Sequence, residues 1–149
     1  MIITRLKGGL GNQMFQYAAG LSLSSHNKTG LLIDGSFLYE SESDRNITPR
    51  RFELNCFGLT DHSLEKKSII RIRKLLLSQP VSMIRKFTPS LLPWQYVTEN
   101  SFAFNTSFFS LKGNIMLDGY WQSELYFKKC RTQILDAFRL KEPLSEKSA

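Results

Sequence analysis

The sequence predicts an α/β domain, a Rossmann-like parallel sheet flanked by helices. Three observations carry that expectation. A short apolar run, Ile2-Ile3-Thr4-Arg5-Leu6, meets three glycines within four positions (Gly8, Gly9, Gly11), and apolar or small residues then run from Met14 to Leu23. A second apolar run, Leu31-Leu32-Ile33-Asp34, follows the helix-stopping sequence Asn27-Lys28-Thr29-Gly30. A third, Asn114-Ile115-Met116-Leu117, precedes another stretch of helical periodicity. Strands alternating with helices imply parallel pairing, with the helices on the faces of the sheet.

Taken in order, a strand over 1–6, a glycine-rich loop over 7–11, a helix over 12–25 and a strand over 31–34 make one βαβ unit. Glycines let the loop take positive φ and remove side chains that would hold a ligand away. Asn12 reads as the cap of the helix, whose first amides favour an anion such as a phosphate. Gln13 and Gln16 are polar residues on the first turn of an otherwise apolar helix, which points to a site. The nucleotide P-loop is excluded, because Gly11 is followed by Asn12-Gln13 where Gly-Lys-Ser/Thr is required. The dinucleotide fingerprint is half met. Asp34 stands where its ribose-binding acid falls, but Met14 occupies the position of its third glycine. A tight βα turn with no ligand is the plain structural reading of the glycines alone.

Residues 35–62 are polar and irregular, with Pro49 and the pair Arg50-Arg51. A basic amphipathic helix is expected over 63–77. Between Leu64 and Lys86 lie Lys66, Lys67, Arg71, Arg73, Lys74, Arg85 and Lys86 against Glu65 alone, so this stretch holds most of the net charge of +7. Ile69, Ile70, Ile72, Leu76 and Leu77 fall on one side of the helix, Lys67, Arg71 and Lys74 opposite, with Lys66 and Arg73 on the apolar flank. A solvated surface face is the plain reading, and a helix lying on anionic lipid the functional one. Nucleic acid is not indicated, since aromatics are not interleaved with the basic residues. Pro80, Pro89 and Pro93 break the chain, with a second short basic helix at 81–86. Residues 98–111 are Phe- and Ser-rich and loop-like, 114–117 a buried strand, and 123–140 a helix bearing Leu125, Tyr126, Cys130, Ile134 and Phe138. Asp34 reads as a loop-capping residue and His26 as a partner of its helix C-terminus. His62 shows no partner in sequence.

With 149 residues, 42% of them hydrophobic and 12% aromatic, the chain has the material for one cored domain. No apolar run approaches the ~20 residues of a membrane span. The first motif begins at Met1, so no signal peptide is expected and a cytoplasmic, bacterial protein is the simplest expectation. Cys56 and Cys130 are far apart, which suggests neither zinc nor disulfides, and both are expected to be buried thiols.

Two long motifs carry a family resemblance. Residues 1–19, MIITRLKGGLGNQMFQYAA, and residues 117–127, LDGYWQSELYF, resemble the corresponding segments of the α-1,2-fucosyltransferases of glycosyltransferase family 11. Weaker echoes lie at Arg51-Phe52-Glu53-Leu54 and Glu99-Asn100-Ser101-Phe102-Ala103-Phe104. The resemblance covers residues 1–140 and implies a GT-B-like enzyme of two Rossmann-type domains. This chain would supply the first, and residues 141–149 would begin the linker to a donor-binding domain. The His-x-Arg-Arg-x-Asp motif of that second half is not found in this sequence. The activity implied is transfer of L-fucose from GDP-fucose to the 2-hydroxyl of a galactosyl glycan acceptor, inverting and metal-independent, with no cofactor besides the donor.

Carried over residue by residue, Gly9, Gly11, Asn12 and Gln13 are the donor-binding candidates. Tyr120 and Trp121 are candidates for an aromatic platform under the acceptor sugar. Asp118, at the end of a strand, is a weak candidate for the general base. Gln122 and Ser123 read as the start and cap of the following helix. Peripheral contact of residues 64–86 with the inner membrane face is the expected partner beyond the substrates. Two alternatives remain open: a non-catalytic binding module of the same fold, and a nucleotide-binding Rossmann domain of another class.

Overall fold

Four strands, β1 (Ile2–Arg5), β2 (Leu31–Asp34), β3 (Trp94–Thr98) and β4 (Asn114–Asp118), form an all-parallel sheet in the computed structural model of the chain. The structure describes residues 1–40, 50–62, 67–78, 93–101 and 103–141. The strand order is β2-β1-β4-β3, with Ile2 opposite both Leu31 and Ile115 and Tyr96 opposite Met116. Side chains alternate between the two faces, as a pleated strand requires. Ile2, Ile115 and Leu117 pack with Ala19 and Leu23 of helix α1 (Leu10–His26). Ile3 and Met116 pack on the other side, against Ile69 and Leu76. Both faces of the two central strands are therefore covered, which is why they read as continuous apolar runs.

Helix α1 lies close to the sheet because Gly20 has no side chain. A Cβ there would sit 3.0 Å from Thr4 and 3.0 Å from Leu31. Close helix–strand packing, which the dinucleotide fingerprint assigns to a glycine at the position of Met14, is supplied here by Gly20 instead. A short helix, α2 (Ser36–Glu40), follows β2, and its entry is capped as expected, with the Ser36 N–H donating to Asp34 Oδ1 at 3.0 Å. Asp34 is fully buried in this role, which leaves it out of reach of a ribose. His62 does have a partner: its Nδ1 accepts the Ile33 N–H at 3.1 Å, bracing the end of β2.

The described part of the basic helix is α3 (Lys67–Leu77). Its apolar stripe is used by the sheet, with Ile69 and Leu76 buried and Ile72 packed beside them. Arg73, on the flank of that stripe, is buried too, while Arg71, Lys74, Leu75 and Leu77 face outward. Lys66, the stretch 81–86 and residues 142–149 lie outside the described residues.

One strand lies outside the expected elements, and two expectations are corrected. Strand β3 lies where no apolar run marks it, yet Trp94-Gln95-Tyr96-Val97-Thr98 is dense in strand-favouring residues. It is an edge strand, pairing with β4 alone, so only part of it is buried. The helix expected over 123–140 is two 3₁₀ turns, Glu124–Tyr126 and Lys128–Cys130, followed by helix α4 (Arg131–Ala137). Phe127, at φ −140, breaks the helical path. Cys56 is exposed and Cys130 half-buried, so neither is a core thiol. Among the described residues, no helix is long and apolar enough to cross a membrane.

Candidate functional site

The central strands β1 and β4 end side by side, so the two sequence motifs emerge as neighbouring loops at the carboxyl edge of the sheet. In open parallel sheets that edge is where ligands bind. Asp118, the last residue of β4, joins the loops electrostatically. Its Oδ2 accepts from Arg5 Nη1 at 2.6 Å and from the Tyr96 hydroxyl, and its Oδ1 accepts from Lys7 Nζ at 2.8 Å. Burial pushes against the charged form of Asp118. The hydrogen bonds from Lys7 and Tyr96 and the charges of Arg5 and Lys7 outweigh that effect and hold its carboxyl below the usual range. Burial and the bond to Asp118 push the Tyr96 phenol up to about 12. A carboxylate with both oxygens engaged and its basicity lowered is a poor proton acceptor. Asp118 is the hub of an ion-pair network, and its environment does not suit the general-base role.

The glycine-rich loop is built differently from its sequence reading. Only Gly8 takes a positive φ, at 78. Helix α1 starts at Leu10 with Gly9 at the cap position, so Asn12 lies inside the first turn and caps nothing. Its Oδ1 instead accepts from Gln122 Nε2 at 2.7 Å, tying the first motif to the second. The amides of Leu10, Gly11 and Asn12 precede the first possible intrahelical acceptors, and the first turn carries no acidic residue. Gly11 is exposed, and a Cβ there would meet nothing within 4 Å. Arg50 stands nearby, its guanidinium 3.7 Å from where a Gly9 Cβ would lie. Leu10, Arg50, Arg51 and Cys56 help to line a hollow of ≈ 540 Å³ here.

Gln13 does not face this hollow. It is fully buried, its Nε2 donating to Gly8 O at 2.9 Å and Arg51 O at 2.7 Å, while its Oε1 accepts the Glu53 N–H at 2.9 Å. The amide that suggested a ligand contact is a latch between the loop and the segment 51–53. Gln16 grips the Lys7 peptide in the same way, accepting its N–H at 2.9 Å and donating to its carbonyl at 3.1 Å.

The second motif turns on Trp121. A bulky residue at φ 55 is a rare conformation. Its indole is 1% exposed, packed against Phe108 (5.3 Å between ring centroids) and Tyr126 (5.4 Å), so it is a core anchor and offers no platform to a sugar. Tyr120, beside it, is only half-buried and lies over Lys7, whose Nζ is 4.9 Å from the ring centroid. Glu99 holds this turn. Its carboxylate accepts the Tyr120 N–H at 2.8 Å and the Trp121 N–H at 3.1 and 3.2 Å. Ser123 caps the next turn as expected, accepting the Leu125 N–H, whereas Gln122 reaches back to Asn12. Lys7, Glu99, Asn100, Ser101, Asp118, Gly119 and Tyr120 line a cleft of ≈ 360 Å³.

Of the residues singled out in sequence, the structure therefore brings Gly9, Gly11, Asn12, Asp118 and Tyr120 to one edge, and places Gln13 and Trp121 beneath it. Arg5, Lys7, Tyr96 and Glu99 were not anticipated. The echo beginning at Glu99 was the available signal for one of them; Tyr96 sits on the unexpected strand.

Amide donors, two flanking arginines and a polar cleft with one aromatic wall thus share this edge of the sheet. The O-antigen biosynthesis glycosyltransferase WbnK of Escherichia coli is 35% identical over 147 residues, covering 93% of this chain and 48% of that protein. This chain is similar to glycosyltransferases. An alpha-1,2-colitosyltransferase of Escherichia coli is 28% identical over 140 residues, covering 93% of this chain and 44% of that protein. The chain spans about half the length of the curated relatives it matches. No family model and no solved structure matches it.

Proposed function

We propose that this chain is the amino-terminal half of an inverting α-1,2-fucosyltransferase that moves L-fucose from GDP-fucose to the 2-hydroxyl of a galactosyl residue in a cell-surface glycan. The observation that carries the reading is the joining of the two family-like motifs at one sheet edge, through Lys7–Asp118 and Asn12–Gln122.

In this reading the donor's diphosphate lies toward the Leu10, Gly11 and Asn12 amides and the Arg50 guanidinium. Negative charge grows on the β-phosphate as the glycosidic bond breaks. Preorganised amides at a helix N-terminus stabilise that charge without reorganising. Gly11, with open space around it, lets the phosphate or the second domain approach. The acceptor ring occupies the cleft between Tyr120 and the Glu99–Ser101 segment, where the Asn100 amide and the Ser101 hydroxyl suit sugar hydroxyls. Asp118 keeps Lys7 and Arg5 in place, and the acceptor hydroxyl passes its proton to a general base other than Asp118 as GDP departs. The reaction as proposed needs no cofactor besides the donor and no metal. A cytoplasmic location, with the outward basic face of α3 near an anionic leaflet, belongs to the same proposal.

A colitosyl donor is the second reading, favoured by the name of the 28%-identical relative. Saturation-transfer NMR of the 149-residue chain with GDP-fucose and with methyl β-D-galactopyranoside tests the scheme. Both are expected to bind, without competing, and Asn12→Ala and Arg50→Gln to weaken the nucleotide sugar alone. Binding of neither ligand sinks the proposal, and a preference for a GDP-colitose donor would select the second reading.

A further inference from the structure

The turn Gly119–Ser123 carries a strained residue that neither the fold nor the donor scheme explains. Trp121 holds a left-handed backbone at φ 55 although nothing forces a turn of that hand on a large aromatic. Three features maintain it. The indole is locked in the core by Phe108 and Tyr126. The Trp121 carbonyl accepts the Ser123 N–H at 2.8 Å. The Glu99 carboxylate takes the N–H groups of both Tyr120 and Trp121. Gly119 is part of the same device: a Cβ there would lie 2.6 Å from Glu99 Cβ and 2.8 Å from the Trp121 ring, so the carboxylate reaches the two amides only past a glycine.

The consequence is directional. With the Trp121 backbone reversed and its ring sunk inward, the residues on either side are thrown outward. Tyr120 goes to the cleft and lies over Lys7, and Gln122 goes to Asn12. We propose that Glu99 is a positioning residue for acceptor recognition: by holding the strained Trp121 turn, it sets the Tyr120 ring as the wall on which the apolar face of a neutral sugar stacks. This deepens the function proposed above and rests on it for the identity of the sugar. A sugar C–H face stacks more tightly on an aromatic ring already held at its angle, since ordering a mobile ring subtracts from the contact. Asn100 and Ser101, next to Glu99 in the same cleft wall, then meet the hydroxyls.

The test uses the 149-residue chain and two independent readouts. The first needs no ligand. Tyr120 over Lys7 shifts the Lys7 ε-methylene protons upfield through the ring current. That shift, and the amide shifts of Tyr120 and Trp121, are expected to collapse in Glu99→Ala and to survive in part in Glu99→Gln, which keeps one accepting oxygen. The second is affinity for methyl β-D-galactopyranoside, expected to fall at least tenfold in Glu99→Ala and less in Glu99→Gln. An unchanged Lys7 shift in the variants overturns the positioning role whatever the sugar does. Collapse of the shift with no galactoside binding by the wild-type chain leaves the positioning role standing and removes the acceptor reading. Should Glu99→Ala fail to fold, Glu99→Gln gives the same comparison with a smaller amplitude.

Discussion

At the scale of single residues, motif membership did not distinguish a side chain at the surface of the cleft from a buried brace. Gln13 and Trp121 stood beside Asn12 and Tyr120 in the sequence, with the same polar or aromatic character. What separates them is the direction of the side chain, which depends on a helix starting at Leu10 and on a reversed backbone at residue 121. Neither is written in composition or spacing. The difference is measurable. Trp121→Ala is expected to destabilise the chain by about 4 kcal/mol, the ordinary cost of emptying a buried aromatic site. Tyr120→Ala is expected to cost about 0.5–1 kcal/mol, the value of its contact with Lys7 at a partly exposed site, and to abolish galactoside binding. Denaturant melts of both variants check this, and equal losses would contradict the placement. Gly11 gives a sharper case. It lies in the first turn of a helix with open space where a Cβ would go. Gly11→Ala is therefore expected to raise stability by about 0.5–1 kcal/mol, while weakening GDP-fucose binding. A variant that melts higher and binds less identifies Gly11 as a glycine kept for an approaching ligand.

At the scale of elements, β1 and β4 were legible because both faces of these central strands are buried, which writes an apolar run into the sequence, and the edge strand β2 was legible because it happens to carry the run Leu31-Leu32-Ile33. β3 was not, because an edge strand half-covered on each face needs no such run. The unread strand brought Tyr96 to the site, and with it the network on Asp118. That network has a pH signature at both ends. The Asp118 carboxyl is held below its ordinary 3.8, so its stabilisation is present above about pH 4 and is lost as pH falls through the depressed value. The Tyr96 phenol is raised from 10.0 to about 12, so its contribution is intact below pH 10 and is lost as pH rises toward about 12. Thermal melts of the wild type and Tyr96→Phe across pH 9–12 are expected to show the alkaline decline reduced in the variant. Identical alkaline slopes would place Tyr96 outside the network. In α3 the amphipathic pattern held except at Leu77, expected on the apolar side but exposed, and that side was free to be assigned to lipid or to protein. Ile69 and Leu76 against the sheet decide for protein, and Ser68, Arg71, Lys74, Leu75 and Leu77 are exposed among the described side chains.

At the scale of the whole molecule, the chain spans about half of its relatives' length, and the proposed chemistry needs two walls. The 149-residue chain is expected to bind sugar and nucleotide sugar weakly and to transfer no fucose at a useful rate. Radiolabelled GDP-fucose with a galactoside panel measures this, and robust turnover would show that one domain suffices. For the basic face, cosedimentation with anionic and neutral vesicles is expected to show binding to the anionic ones that salt weakens, each engaged basic residue contributing about 1 kcal/mol. An Arg71→Gln/Lys74→Gln variant that binds equally well would assign those residues to solvent alone.

The order of the strands also has a history in time. β4, the strand that completes the inner pairing of β1, is the last of the four to be made. At roughly 10 residues per second, a nascent chain waits on the order of 10 s between the synthesis of Arg5 and that of Asp118. Once β2 has paired, β1 keeps one open edge until β4 is made, and the cations of Arg5 and Lys7 lack the carboxylate that later holds them. The β1–α1–β2 unit, with an apolar strand unpaired on one side, is thus the species most exposed to edge-to-edge association while the ribosome is still at work.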